Sequence, residues 1–388
     1  MKHFYSLEPT APLVFRSGRP FGTGSQESAR FPWPSALAGA LRTAWMRAQG
    51  DVGFTRAEEA LQHAVGGPLL LAPDGEVYVP KPADAVVVLD EQRGRPTVHR
   101  LMPGNYPKGV GSNLPEGLQP VVAQTEFVGK PQKVASFWPI SAILAWDAER
   151  TPIPETLLQG DGEPAPLRLR RHSTHLRLDR RRHAAESGQI FQLEALDFGR
   201  ERLADRGFAD GVWRLAVFYE QSLPQGLVQL GGERRGAWVE PEAAACPVLP
   251  EYLARALQDS DTFALTLCTP AIFSHGWRPA WLDEQLQGEI PGIPGLRVRL
   301  QSLANERWQG VSGWDLALQQ PKPARRAVPA GSTYWFRILE KPADTQWVAQ
   351  LWFHAISDAL QDRRDGWGLV LPRLAPFSSA HTPQGLPS

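Results

Sequence analysis

Between Arg168 and His183 the chain carries seven arginines (Arg168, Arg170, Arg171, Arg177, Arg180, Arg181, Arg182) and three histidines (His172, His175, His183) against one acid, Asp179. Guanidinium groups at this density form an anion-binding surface by composition, suited above all to phosphate. A solvated hairpin that keeps a sheet edge soluble has the same composition. A second basic feature follows in Gly231-Gly232-Glu233-Arg234-Arg235-Gly236. Its backbone N–H groups and two guanidiniums could cradle a phosphate, or it could be a plain hairpin turn. Ala237 stands where a Walker loop needs Lys-Ser/Thr, so a nucleotide-binding P-loop is excluded.

The histidines, with His275, could act as general acid or base in metal-independent RNA cleavage, or serve as contact and structural residues. No GxSxG or HExxH motif and no zinc-type Cys/His spacing is present, and no cofactor motif is found. Two further basic positions, Arg16 and Arg19, lie in the loop Arg16-Ser17-Gly18-Arg19-Pro20. On the helix expected from Ser35 to about Gln49, Ser35 is placed as N-cap. Leu37, Leu41, Ala44 and Trp45 should face a core, while Ser35, Gly39 and Arg42 share another face. That second face could meet a nucleic acid or simply a neighbouring element.

These features sit in a chain of 388 residues, 42% hydrophobic, long enough for two domains with real cores. Charge balances at 41 basic and 41 acidic residues, so nucleic-acid affinity must come from local clustering. Cys246 and Cys268 cannot build a disulfide framework, MKHFYSLEPT lacks the apolar run of a signal peptide, and no stretch has the length of a membrane span. A cytoplasmic protein without membrane contact is the expectation. Fourteen tryptophans could fill cores, seal interfaces or stack on bases.

Period-two patterning predicts strands at 2–7, 69–72, 77–79, 85–89, 213–219, 263–267, 296–300, 333–339 and 369–371. The proline-broken stretch from Arg93 to Lys133 contains no helix pattern, as in a binding loop or an insertion. Within the basic stretch the alternation inverts after Ser173, which predicts a bulge or turn near Arg171 to Thr174 and a hairpin tip over Arg180 to Ser187. A strongly amphipathic helix is expected from Asp344 to about Gln361. Thr269-Pro270-Ala271-Ile272-Phe273 with Gly276-Trp277-Arg278-Pro279 resembles Thr10-Ala11-Pro12-Leu13-Val14-Phe15 with Gly18-Arg19-Pro20. That repeat adds Arg278 to the basic set. Strand, helix, two strands, helix, strand is the ferredoxin-like order, so the expected fold class is α+β with two ferredoxin-like, RRM-like modules in tandem. The boundaries are 1–245, carrying an insertion at about 93–165 and a basic hairpin at 167–198, then 246–376, with a flexible tail at 377–388.

Taken in order, Phe15-Arg16-Ser17-Gly18-Arg19-Pro20, Pro34-Ser35-Ala36-Leu37-Ala38-Gly39-Ala40-Leu41-Arg42, Arg171 to Asp179 with Gly188-Gln189-Ile190-Phe191, the Gly231 to Gly236 loop and Gly366-Trp367-Gly368 resemble the RAMP superfamily of CRISPR proteins. Within it the similarity is to the third subunits of type III-B (Cmr) effectors, over about residues 1–376. The resemblance implies a non-catalytic RNA-binding subunit without a cofactor. Such a subunit holds the 5′ handle of the crRNA and joins the large polymerase-like subunit to the backbone RAMP subunits, in defence against foreign RNA. On this reading Arg16, Arg19, Ser35, Gly39, Arg42, Arg168, Arg170, Arg171, His172, His175, Arg177, Arg180, Arg181, Arg182, Gly231, Gly232, Arg234, Arg235, Gly236 and Arg278 contact RNA. The alternatives are an endoribonuclease that processes precursor crRNA and a protein-docking scaffold.

Overall fold

A computed structural model of the chain describes residues 3–375 apart from 16–25, 28, 91–93, 107–108, 159–162, 200–201, 204–206, 209–210 and 316–319. The tail expected at 377–388 lies outside the described residues. In chain order the elements used below are β1 (His3–Pro9), α1 (Pro34–Ala48), α2 (Ala57–Gln62), β2 (Val65–Leu71), β3 (Val77–Pro80), β4 (Ala85–Asp90), β5 (Arg95–Pro103), β6 (Val121–Ala123), β7 (Phe137–Pro139), α3 (Ile140–Asp147), β8 (Arg170–Asp179), β9 (Ala184–Leu196), β10 (Arg214–Tyr219), β11 (Gly226–Gln229) and β12 (Gly236–Pro241). The second half adds α4 (Glu251–Asp259), β13 (Thr262–Leu267), β14 (Gln287–Glu289), β15 (Arg297–Ala304), β16 (Thr333–Glu340), α5 (Trp347–Leu351), α6 (Leu360–Arg364) and β17 (Val370–Arg373).

The result is a mixed α/β chain built on several antiparallel sheets. One has seven strands in the order β11-β12-β1-β10-β2-β3-β7, another five in the order β14-β15-β16-β13-β17, and β4-β5-β6 form a third. The strand alternation explains how the two larger sheets meet. On β10, Leu215, Val217 and Tyr219 point into a core with Leu37, Leu41 and Trp45 of α1. Ala216 and Phe218 point the other way, into a core shared with Phe263, Leu265, Tyr334 and Phe353 of the second half. Both faces of the seven-stranded sheet are therefore covered, and the rings of Phe218 and Phe353 lie 5.2 Å apart. Gly366 marks one close approach between the halves. Its φ of 88° favours glycine, and a Cβ there would stand 2.9 Å from the carbonyl oxygens of Val65 and Gly67.

Three local expectations are corrected. The first helix begins at Pro34 with Trp33 as N-cap and no side-chain cap, so Ser35 lies inside the first turn. Pro34 needs no N–H there and its fixed φ suits the start of a helix. The helix expected over 344–361 is two short ones, α5 and α6. Phe353 between them has φ 51°, and the chain runs beside β17, with Ala355 bridging Leu369 and Val370 N–H donating to the His354 carbonyl at 2.8 Å. Phe353 and Ile356 are buried by that detour, and each apolar side chain of this size stabilises by about 1.5–3 kcal/mol. The expected bulge at Arg171 to Thr174 is absent. The register shift falls instead on the returning strand, between Ala185 and Ile190, and the tip is the turn at 180–183. Most of β8 is exposed on both faces, so burial imposes no alternation on it.

Candidate nucleic-acid interface

Three stretches named for their basic or glycine residues converge on Leu13–Phe15. Leu13 exchanges backbone hydrogen bonds of 2.8 Å with Leu196, at the base of the β8/β9 hairpin. Val14 is buried with Leu193 and Ala195 of the same hairpin, and its carbonyl accepts the Gly232 N–H at 2.8 Å. Gly231, at φ 79°, must be glycine because a Cβ would stand 2.8 Å from that carbonyl. The chain passes from Phe15 into the stretch bearing Arg16 and Arg19, which lie outside the described residues. It returns at Gln26–Glu27, parallel to Gln192–Leu193 of the hairpin, and the Ala29 N–H donates to the Glu194 carboxylate at 2.8 Å.

The hairpin divides into a tied base and a free end. Half-buried Arg170 lies 3.7 Å from Glu194. Arg171, His172, Arg177, Arg180, Arg181 and Arg182 are exposed. Asp179 shapes the tip, accepting the backbone N–H groups of Arg181 at 2.8 Å and Arg182 at 3.2 Å. Its contact with the Arg182 side chain is long, at 3.8 Å, and Arg177 meets Glu186 at 3.3 Å in the open. Exposed pairs of this kind are worth about 0–1 kcal/mol, so a phosphate could replace them at little cost. Arg168 is exposed beside the base. Leu176 and Leu178, about half exposed, add apolar surface to the same arm. His175 Nε2 lies 2.9 Å from Ser173 Oγ, and His172 stands opposite Glu194 across the ladder.

In the glycine loop Glu233 and Arg234 have φ of 58° and 54°. Arg234 is exposed and Arg235 half-buried, and the Gly236 carbonyl accepts the Thr10 hydroxyl at 3.0 Å. The first helix contributes differently. Ser35 and Gly39 are half-buried, with open space beside Gly39. Arg42, expected at the RNA face, is interior. Its guanidinium pairs with Asp365 at 2.5 Å and donates to the carbonyls of His63 at 2.9 Å and Arg364 at 3.1 Å. It joins the first helix to the end of α6, where a carboxylate and two carbonyls compensate the buried cation. Arg42→Met is expected to cost about 2–3 kcal/mol through the stranded Asp365, read as a lower thermal midpoint that Asp365→Asn in the same background partly restores.

Arg278 sits in the second-half counterpart of this region, where its side chain makes a 3.5 Å contact to the Asp283 carbonyl. The repeat seen in sequence is repeated in contacts. Thr10 donates to Gly236 in one half, and Thr269 to the Gly366 carbonyl at 2.6 Å in the other. Gly232 N–H meets Val14 in one, and Gly368 N–H meets the Pro270 carbonyl at 2.8 Å in the other. Asp358, not singled out in the sequence, clamps the second loop through the Ser274 hydroxyl and the N–H groups of Ser274 and Ala280. Among the described residues no group of His, Cys, Asp and Glu side chains is placed to hold a metal ion, and no helix is long and apolar enough to cross a membrane.

Residues 5–372 match the family model described as CRISPR-associated protein (Cas_Cmr3). The chain belongs to this family. No curated protein matches the sequence. Solved structures similar to this family member include two of type III-B Cmr-beta bound to cognate target RNA. One of them also holds AMPPnP and shows 14% identity over 86% of each chain with a TM-score of 0.47. The other shows 13% identity over 95% of this chain and 96% of that one, with a TM-score of 0.49. A chain of the Csm3-Csm4 subcomplex of the type III-A interference complex shows 12% identity over 89% and 96%, with a TM-score of 0.37. Membership of the Cas_Cmr3 family makes the chain a Cmr RAMP-type component of type III CRISPR effectors.

Proposed function

We propose that this chain is a non-catalytic RNA-binding subunit that holds the 5′ handle of a crRNA and joins the large polymerase-like subunit of its effector to the backbone RAMP subunits. The observation that carries this reading is the meeting of the basic hairpin, the Gly231 to Gly236 loop and the segment leading into Arg16 at Leu13–Phe15. The base of the hairpin and the glycine loop thus meet at this segment, with Arg234 exposed on the loop and the hairpin's exposed arginines running outward from the junction, an arrangement that suits an extended single-stranded phosphate chain. Arg171, Arg177, Arg180, Arg181, Arg182 and Arg234 form the contact set together with Arg16 and Arg19, and Arg42 drops out of it. The exposed leucines of the hairpin suit a base or a neighbouring subunit.

The fold supports two ferredoxin-like units with boundaries near 245 and 376. In each sheet the four principal strands run in the order fourth, first, third, second: β12-β1-β10-β2 and β17-β13-β16-β15. Each unit keeps one of its two crossover helices. The first has α1 between its first two strands, and the second has α5 and α6 between its last two.

The test is purification of the chain with its co-expressed partners, followed by sequencing of the bound RNA. RNAs sharing one 5′ tag are expected, together with the large and backbone subunits. Heterogeneous RNA without a common tag would overturn the proposal, and cleavage of precursor RNA by the isolated chain in EDTA, abolished by replacing His172, His175 or His183, would favour an endoribonuclease.

A further inference from the structure

The duplication extends to the arms. In the first half the β8/β9 hairpin lies between the second and third principal strands, and its end, Leu196, bridges Leu13 just after the first strand. In the second half an arm leaves after β15 and returns to β16, and its end, Val328, bridges Ala271 just after the first strand. The pairing of Gln309–Val311 with Arg325–Ala327 builds the base of this second arm. Val311 and Ala327 are buried against Trp33, Ile272 and Trp367.

The outer side of the arm is not an ordinary solvated surface. Trp308 is 49% exposed and Trp314 55% exposed, although indoles of this size are normally among the better buried side chains. The Arg326 guanidinium lies over the Trp308 ring, 4.7 Å from its centroid. Gly310, paired with Arg326, has no side chain to fill the space beside that ring, and a Cβ there would already lie 3.8 Å from it. Arg307, the preceding residue, is exposed. A flat guanidinium on an exposed indole is an arrangement on which single-stranded bases stack without sequence preference.

The arm also continues the surface described above. From its contact with the hairpin, the segment after Glu27 runs through Arg30 and Phe31 into a cleft of about 360 Å³ between the halves. Glu306 and Gln309, at the root of the second arm, line the same cleft, and its cations Arg30 and Lys81 outnumber its acid Glu306.

We infer that Trp308 and Arg326, on an arm that also carries exposed Trp314 and Arg307, form a second site for single-stranded RNA, stacking bases beyond those held at the first hairpin. The inference rests on the RNA-binding reading of the first hairpin and extends it along the chain. Binding of fluorescein-labelled oligouridine to the full chain, followed by anisotropy at low salt, tests both. Trp308→Ala with Arg326→Ala should weaken a long oligouridine by about tenfold or more and remove most of the quenching of tryptophan emission. A short oligouridine, able to occupy only the first hairpin, should bind as before, and Trp308→Phe should keep most of the affinity. If the alanine variants fold, as judged by circular dichroism, and bind long oligouridine unchanged while Arg180→Ala, Arg181→Ala, Arg182→Ala weakens it, the second site is refuted and the first stands. If neither set changes binding, both readings fall. Release of a neighbouring subunit by Trp308→Ala, with RNA affinity intact, would make the arm a protein contact and overturn the inference. Should the double variant misfold, Arg326→Gln alone supplies the same comparison.

Discussion

Arg373→Met should lower the unfolding free energy by about 3–5 kcal/mol, enough to remove a large part of the stability of an ordinary domain. Arg373 is 1% exposed on β17. It donates to both oxygens of Asp147 at 2.7 Å, to those of Asp84 at 2.8 and 3.1 Å, and to the Thr266 hydroxyl at 2.9 Å. Arg100 approaches Asp147 at 3.4 Å, and the Thr333 hydroxyl donates to Asp84 at 3.0 Å. The last strand of the second half is thereby tied to α3 and to the turn before β4. Methionine would fill the volume but leave two carboxyls buried against one remaining cation.

The loss of stability in this variant should depend on pH. Burial alone would raise the Asp84 carboxyl, but the Arg373 guanidinium outweighs it and holds Asp84 below the ordinary carboxylate value, whereas burial leaves Asp147 above it. A depressed carboxyl contributes stability above its unfolded pKa that is lost as pH falls through the depressed value, and a raised one loses stability as pH rises. In the wild type these trends oppose each other. Without Arg373 burial dominates at Asp84 as well, so both carboxyls are raised and the variant should be less destabilised near pH ~4 than at pH ~7. Chemical denaturation at the two values measures this, and adding Asp84→Asn and Asp147→Asn should restore stability at neutral pH. An equal loss at both values, with no recovery on neutralising the carboxyls, would show that the network does not carry the effect.

Replacing Arg180, Arg181 and Arg182 together by alanine should weaken single-stranded RNA binding on the order of a hundredfold at low salt, while the thermal midpoint hardly moves. These side chains are exposed and the Arg182–Asp179 ion pair is long, so little folding energy is at stake. Three lost phosphate contacts at about 0.7 each should reduce the slope of log affinity against log salt by about 2. An unchanged slope with reduced affinity would mean that the arginines act through shape or through another subunit. Arg42, equally basic in sequence, should behave in the opposite way. Its replacement shifts stability first, because it is interior.

That contrast marks what could be read in advance. The alternation Leu215, Val217, Tyr219 announced a strand, and its odd residues do line one core. The amphipathic pattern after Asp344 was also real, since Val348 and Leu351 are both buried. Its continuation as one helix was not, because the detour at Phe353 docks beside β17, a partner far from it in the neighbouring sequence. The inverted parity of the basic stretch suggested a bulge at Arg171 to Thr174, but an arm exposed on both faces has no buried side to enforce a period. The Arg326 and Trp308 pair carried no sequence signal beyond an isolated tryptophan, since their contact depends on the cross-strand register of Gly310 with Arg326.

Composition and short-range pattern are local properties, and by themselves they determined that a neutral chain concentrates its arginines in one stretch and that a Thr-Pro-Phe segment recurs after the first strand of each half. Only the tertiary structure decided that Leu13–Phe15 gathers the hairpin and the glycine loop, that Arg42 and Arg373 turn inward while Arg180 to Arg182 stay out, and that the second arm stands where the first one does. Those outcomes follow from pairings between residues up to hundreds of positions apart, such as Arg42 with Asp365 and Leu13 with Leu196. A charge has the same identity in sequence wherever it stands, and only its surroundings in three dimensions settle whether it holds the fold together or faces a ligand.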